Sequence, residues 1–244
     1  MSGSRWTNEH RRDPYVRRAK KEGYRARSAY KLKQIQNRFK VVRKGDCAVD
    51  LGAAPGGWSQ VLVELVGPDG AVFGVDLQRI AAVDGATFLQ GDFTKKDTHD
   101  RLRDALAAEG RSEVDMVASD LAPDMSGNYD LDQARSIHLC GMALRFAEAH
   151  LRDSGNFCCK VFEGADFQEF RETLRSKFRR VVQYHPPASR KQSSEVYLVG
   201  LGYLRDFAEG DGVDEGSRGG GGSSADGTAT AASLGPGPSK DEEE

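Results

Sequence analysis

Between residues 47 and 162 short apolar runs alternate with segments of helical periodicity, and this alternation restricts the chain to one broad architecture. The runs at 47–51, 71–76, 87–90, 114–119 and 156–162 have strand length, whereas 58–66, 94–108 and 130–151 read as helices. Strands that return to one sheet through helices lie parallel, so the reading is an α/β fold with a mostly parallel sheet covered on both faces by helices. A helix over 166–179 follows, with Asp166 and Glu169 at capping-box spacing and Phe167, Phe170, Leu174 and Phe178 on its buried face. Strands at 181–185 and 195–201 are joined by a polar loop too short for a crossover helix, so this last pair is expected to be antiparallel.

Charge is unevenly distributed. The first 45 residues hold fifteen lysines and arginines against Glu9, Asp13 and Glu22, a local charge of +12 in a chain whose net charge is −2. Trp6, Tyr15, Tyr24 and Tyr30 are interleaved with these cations as candidate stacking surfaces, a pattern that suits a polyanion such as RNA. A solvated helix face is the plain alternative. Residues 1–27 are read as a basic RNA-binding arm. From Ser28, as N-cap, a basic amphipathic helix sets Ala29, Leu32, Ile35, Gln36 and Phe39 on one stripe and opens a folded domain over 28–204. Residues 206–244 carry ten acids, two bases and almost no large apolar side chain, so 205–244 is expected to be a disordered acidic Gly/Ser-rich tail.

Several classes are disfavoured. No stretch approaches the roughly 20 apolar residues of a membrane span, and the polar start has no apolar core for a secretory signal, so a soluble cytoplasmic protein is expected. Cys47, Cys140, Cys158 and Cys159 show no metal or redox spacing and read as small buried hydrophobes, with Cys158 and Cys159 facing opposite sides of a strand. The five histidines show no zinc spacing, and no metal is expected.

The stretch Val49-Asp50-Leu51-Gly52-Ala53-Ala54-Pro55-Gly56-Gly57-Trp58 ends a strand in a glycine-rich turn and enters a helix. In an open parallel sheet ligands bind just beyond such strand ends. The spacing G-x-x-x-G-G differs from the G-x-G-x-x-G of a dinucleotide cradle, which argues against a nicotinamide-dependent dehydrogenase. Asp76 closes the next strand, where a carboxylate can accept ribose hydroxyls, and Asp92 follows the third, within reach of an adenine amino group. Singly, each acid could be a turn residue. As an ordered set they indicate S-adenosylmethionine, held by Gly52, Gly56, Gly57, Trp58, Asp76, Asp92 and Asp120.

The segments D-L-G-A-A-P-G-G-W-S-Q, S-D-L-A-P, C-K-V-F and S-S-E-V-Y-L-V, preceded by D-P-Y-V-R-R-A and R-S-A-Y-K-L, closely resemble the FtsJ-type (RrmJ) ribosomal RNA 2′-O-methyltransferases from about Trp6 to Leu204. The resemblance implies a Rossmann-like methyltransferase fold with seven strands in the order 3-2-1-4-5-7-6. It also implies a catalytic Lys-Asp-Lys-Glu tetrad, which falls here on Lys31, Asp120, Lys160 and Glu195. As substrate it implies a uridine ribose in the A-loop of large-subunit ribosomal RNA, within the large ribosomal subunit. Some archaeal relatives resemble this chain but carry a further RNA-binding barrel, whereas here only the acidic tail follows. A monomer is expected.

A ribose hydroxyl is a poor nucleophile while protonated, and a sulfonium methyl is already electrophilic, so alignment and proton removal are the tasks left to the protein. Lys160 could remove the proton, or could orient the hydroxyl and stabilise developing alkoxide; the sequence leaves both open. Asp120-Leu121-Ala122-Pro123 differs from the N-P-P-Y type of motif of base-amine methyltransferases, which shifts weight from base nitrogen to ribose oxygen. The rival readings are a transfer RNA or messenger-cap 2′-O-methyltransferase, and a non-catalytic RNA-binding assembly factor.

Overall fold

The structure, a computed structural model, describes residues 13–190 and 193–205; Trp6 and the tail from 206 onward lie outside the described residues. Strands β1 (Cys47–Leu51), β2 (Ala71–Asp76), β3 (Ala86–Gln90), β4 (Val114–Ser119), β5 (Leu151–Phe162), β6 (Phe178–Tyr184) and β7 (Glu195–Tyr203) form one seven-stranded sheet in the order β3-β2-β1-β4-β5-β7-β6. The first five are mutually parallel, and β7 runs antiparallel to both β5 and β6. The expected sheet order and the antiparallel last pair are both present.

Six helices accompany the strands among the described residues: α1 (Pro14–Glu22), α2 (Ala29–Phe39), α3 (Gly57–Val66), α4 (Lys96–Ala108), α5 (Tyr129–His150) and α6 (Phe167–Lys177). Because side chains alternate along a strand, the sheet splits the core in two. Val49, Phe73, Val117, Phe157 and Cys159 face α4, α5 and α6, where Leu102, Leu106, Phe146 and Leu174 meet them. Ala48, Val72, Ala118, Cys158 and Val199 face the other way, towards α1, α2 and α3, against Ala19, Leu32, Ile35 and Leu62. Cys158 and Cys159 therefore part as expected, and all four cysteines are free and buried.

The part of the basic arm that is described is folded onto this second layer. Asp13 accepts from the N–H groups of Tyr15 and Val16 at 2.9 and 3.4 Å, Pro14 occupies the first turn of α1, and Gly23 at φ +81° closes it. Val16 and Ala19 are buried beneath it. Tyr24 and Tyr30, read from sequence as stacking surfaces, are core residues: they are 9% and 3% exposed, and their hydroxyls donate to Glu64 and Glu22 at 2.5 and 2.9 Å.

Local expectations differ from the structure at four places. Ser28 precedes α2 but does not cap it through its side chain. Asp166 sits at φ −90°, ψ 4°, away from the extended N-cap conformation, so the capping box does not form. The α6 helix stops at Lys177 because Phe178 is extended and begins β6, three residues before the expected strand. β5 begins at Leu151, directly after α5, and pairs with Val114 before a register shift restores the regular ladder at Met116 and Asn156. Among the described residues no helix is long and apolar enough to cross a membrane.

Candidate active site

The parallel order β3-β2-β1-β4 brings four strand ends to one edge of the sheet, and each carries a residue singled out in the sequence. After β1 the chain turns at Gly52, with φ +73°, where an added Cβ would lie 2.3 Å from Leu121 Cδ2. The Asp76 carboxylate at the end of β2 accepts from the N–H groups of Ala54 and Gln78 at 2.9 and 2.8 Å, tying the glycine-rich loop to the loop that follows β2. Two hydrogen bonds leave half of a carboxylate's acceptor capacity for another ligand. Beyond β3, Asp92 Oδ1 accepts from the Thr94 N–H and hydroxyl, which hold the carboxyl below the usual range.

Lys31, Asp120, Lys160 and Glu195 come together from four separate segments. Lys160 and Tyr197 are cross-strand neighbours on β5 and β7, and Glu195 lies two residues from Tyr197 on the same face. Ser119 pairs with Cys159, so Asp120, the next residue after β4, stands beside Lys160. Lys160 Nζ donates to the Asp120 carbonyl at 2.7 Å and lies 3.1 Å from its Oδ1. From α2, Lys31 Nζ reaches Glu195 Oε1 at 2.5 Å and sits 5.6 Å from the Tyr197 ring centroid. Lys31, Lys160 and Glu195 are each less than one-tenth exposed.

Tyr197 joins these two ion pairs, and the sequence reading passed over it. Its hydroxyl donates to Asp120 Oδ1 at 2.6 Å, and its ring stacks on Trp58 at a centroid distance of 5.8 Å. Trp58, expected at the cofactor, is 3% exposed and donates its indole N–H to the Ser28 carbonyl at 2.8 Å. The structure thus places its ring beneath the tetrad as support. Burial works against the charge on Asp120, but Lys160, Lys31 and the Tyr197 hydroxyl outweigh it and hold this carboxyl below the usual range. Burial, then the nearby carboxylates of Asp120 and Glu195, pushes the Tyr197 phenol well above its ordinary value, so it remains a donor.

Asp50 is a second residue the sequence reading did not assign. It lies 1% exposed on β1, accepts from Ser59 Oγ at 2.7 Å through Oδ2, and leaves Oδ1 buried with no partner. Burial pushes its carboxyl up to about 7, with the negative charge of Asp120 adding to the effect. An acid in the middle of an apolar strand is costly unless something pairs with it, and that was the available signal. The orphaned oxygen, the glycine turn and the ordered acids Asp76, Asp92 and Asp120 fit a ligand that is cationic at one end and carries a ribose and an adenine at the other.

Beside the tetrad, a cavity of about 260 Å³ is lined by Arg27, Ser28, Lys31, Arg190, Ser193 and Glu195. Arg27 is anchored by Asp13 and by the carbonyl of Ala188. Lys31 belongs to both the cavity and the tetrad. Among the described residues no group of three or more His, Cys, Asp or Glu side chains could hold a metal ion.

A family model described as FtsJ-like methyltransferase matches residues 24–203. A ribosomal RNA large subunit methyltransferase E of Methanothrix thermoacetophila is 51% identical over 189 residues, covering 78% of this chain and 72% of the relative. Its namesake from Neisseria gonorrhoeae is 46% identical over 199 residues, covering 82% of this chain and 95% of the relative. A solved ribosomal RNA methyltransferase from Plasmodium falciparum aligns with a TM-score of 0.66 at 25% identity, over 74% of this chain and 99% of that one.

Proposed function

Because this chain belongs to the FtsJ-like methyltransferase family, we propose that it transfers a methyl group to a ribose 2′-hydroxyl, that of a uridine in the A-loop of large-subunit ribosomal RNA, as a cytoplasmic monomer. The observation that carries the reading is the linked set Lys31–Glu195 and Lys160–Asp120, joined through Tyr197 and set beside a cation-lined cavity. The relatives from Methanothrix and Neisseria, named for large-subunit ribosomal RNA, support this substrate over transfer RNA or a messenger cap.

S-adenosylmethionine supplies an electrophilic sulfonium methyl. Gly52, Gly56 and Gly57 would let backbone approach it, Asp76 would receive its ribose hydroxyls, Asp92 its adenine amino group, and Asp50 and Asp120 would face its cationic end. The acceptor's reactivity is then the task of the tetrad. Asp120 grips the Lys160 amine on two sides, through its carbonyl and its Oδ1, leaving a third position of the nitrogen for the ribose hydroxyl. As the neutral amine, with its two N–H groups on Asp120, Lys160 would take the hydroxyl proton and free that oxygen to act as nucleophile. Lys31, fixed by Glu195, stabilises the developing negative charge on oxygen.

Incubation with isotopically labelled methyl donor and undermethylated large ribosomal subunits should label a single A-loop ribose. Label confined to transfer RNA would overturn the substrate, and no incorporation into any RNA would overturn the activity.

A further inference from the structure

Arg25 belongs by sequence to the basic arm, and in the fold its guanidinium turns away from the cavity that Arg27 lines. Nη1 donates to the carbonyls of Pro55 and Ala81 at 3.1 and 2.6 Å, and Nη2 donates to that of Ala82 at 2.6 Å. The Arg25 backbone N–H donates to Gln60 Oε1 at 2.9 Å, and Gln60 Nε2 donates back to the Gly23 carbonyl at 3.0 Å. One side chain therefore spans two loops: the glycine-rich loop after β1 and the loop after β2. The approach is close. Gly56 has φ +106°, and a Cβ there would stand 2.9 Å from Arg25 Nη1. On the other side of the same junction Asp76 ties Ala54 to Gln78 by accepting their N–H groups.

We propose that Arg25 is a positioning residue for the methyl donor, clamping the two cofactor loops together, and that it is not one of the RNA-contacting cations of the arm. The proposal rests on the reading of these loops as the methyl-donor site. Its chemistry needs a planar fork: three carbonyls on two loops are met by two guanidinium nitrogens in one plane, which the single ammonium of a lysine cannot reproduce.

The test uses Arg25→Lys and Arg25→Ala in the full chain. Calorimetric titration with S-adenosylmethionine, without RNA, should show Kd raised on the order of tenfold in Arg25→Lys and at least as much in Arg25→Ala, as expected for losing charge-assisted hydrogen bonds. RNA affinity and the slope of its salt dependence should stay within twofold of the parent. Amide exchange of the cofactor-free protein should lose protection at Ala53, Gly56 and Gly57 while β1 and β4 keep theirs.

An unchanged donor Kd in Arg25→Lys overturns the proposal. So does weakened RNA binding with a shallower salt slope and normal donor affinity, which would mark a phosphate contact. Equal loss of protection in loop and strands would mark a general fold contact and also overturn it. Failure of the parent protein to bind the donor at all would instead sink the reading of the loops themselves.

Discussion

The Tyr197 hydroxyl donates to Asp120 Oδ1 across 2.6 Å, so a residue on β7 joins Lys160 and Lys31 in favouring the charged form of an acid at the end of β4. Tyr197→Phe removes that donor and leaves the stack on Trp58 in place. The Asp120 carboxyl should then rise toward its ordinary value. Turnover should fall on the order of tenfold and stability by about 1–2 kcal/mol, the cost of leaving a buried acceptor short of one partner. Steady-state kinetics and thermal unfolding check this; unchanged turnover would detach Tyr197 from the site.

Glu195 is the counter-ion of Lys31 at 2.5 Å, both about one-tenth exposed. In Glu195→Gln the lysine keeps a hydrogen-bond acceptor but loses the opposing charge. A double-mutant cycle with Lys31→Met should return a coupling energy of about 1–3 kcal/mol in the activation free energy. Strict additivity would show that the two side chains act independently.

Lys160→Arg separates proton removal from orientation. Guanidinium stays protonated throughout the accessible range, so the variant should retain donor binding while turnover falls at least about a hundredfold at every pH. Near-normal turnover would remove Lys160 as the base.

Asp50 has its carboxyl raised to about 7 in the folded chain. The folded state thus holds a proton that the unfolded state has released, and stability should decline as pH rises from about 4 to 7 on this account. Asp50→Asn should be the more stable protein at pH 8 and should flatten that part of the profile. A profile identical to the parent's would show that Asp50 is charged throughout.

His150 acts at the acid end. It is 3% exposed, and its Nε2 lies 2.7 Å from His99 Nδ1, while His99 Nε2 lies 2.8 Å from the Phe93 carbonyl. A carbonyl only accepts, so His99 donates from Nε2 and receives from His150. Burial pushes His150 down to about 4, with His99 and Arg103 adding to it. Its contribution is present above pH 6.5 and is lost as pH falls toward 4, on the order of 3 kcal/mol across the window. His150→Gln, which can still donate to His99, should lose less stability than the parent between pH 7 and pH 5 in chemical denaturation.

The strands that carry the site were legible because β1, β2 and β4 are almost wholly buried and read as predominantly apolar runs, interrupted by Asp50 in β1 and Asp115 in β4 and each ended or followed by an acid or a glycine turn. Lys31, Asp120, Lys160 and Glu195 were assigned through family resemblance, since residues this far apart in sequence have no local pattern that joins them. Tyr197 was readable in principle: it is two residues from Glu195 and must share its face. The α1 helix had its own punctuation in Asp13-Pro14 and Gly23, and the density of positive charge drew attention away from it. Tyr24 and Tyr30 show the limit of composition, because an amphipathic ring among cations looks the same whether its hydroxyl meets RNA or a glutamate of its own chain. The Asp166–Glu169 spacing satisfied a capping rule that the backbone at Asp166 does not follow.

The late insertion of β7 between β5 and β6 has a consequence for biosynthesis. The edge proposed to hold the donor is formed by β1 to β4, in the first half of the chain, whereas Glu195 and Tyr197 arrive with the final strand. A chain still being made therefore holds Lys31 and Asp120 early but lacks the complete tetrad until its last strand has been added.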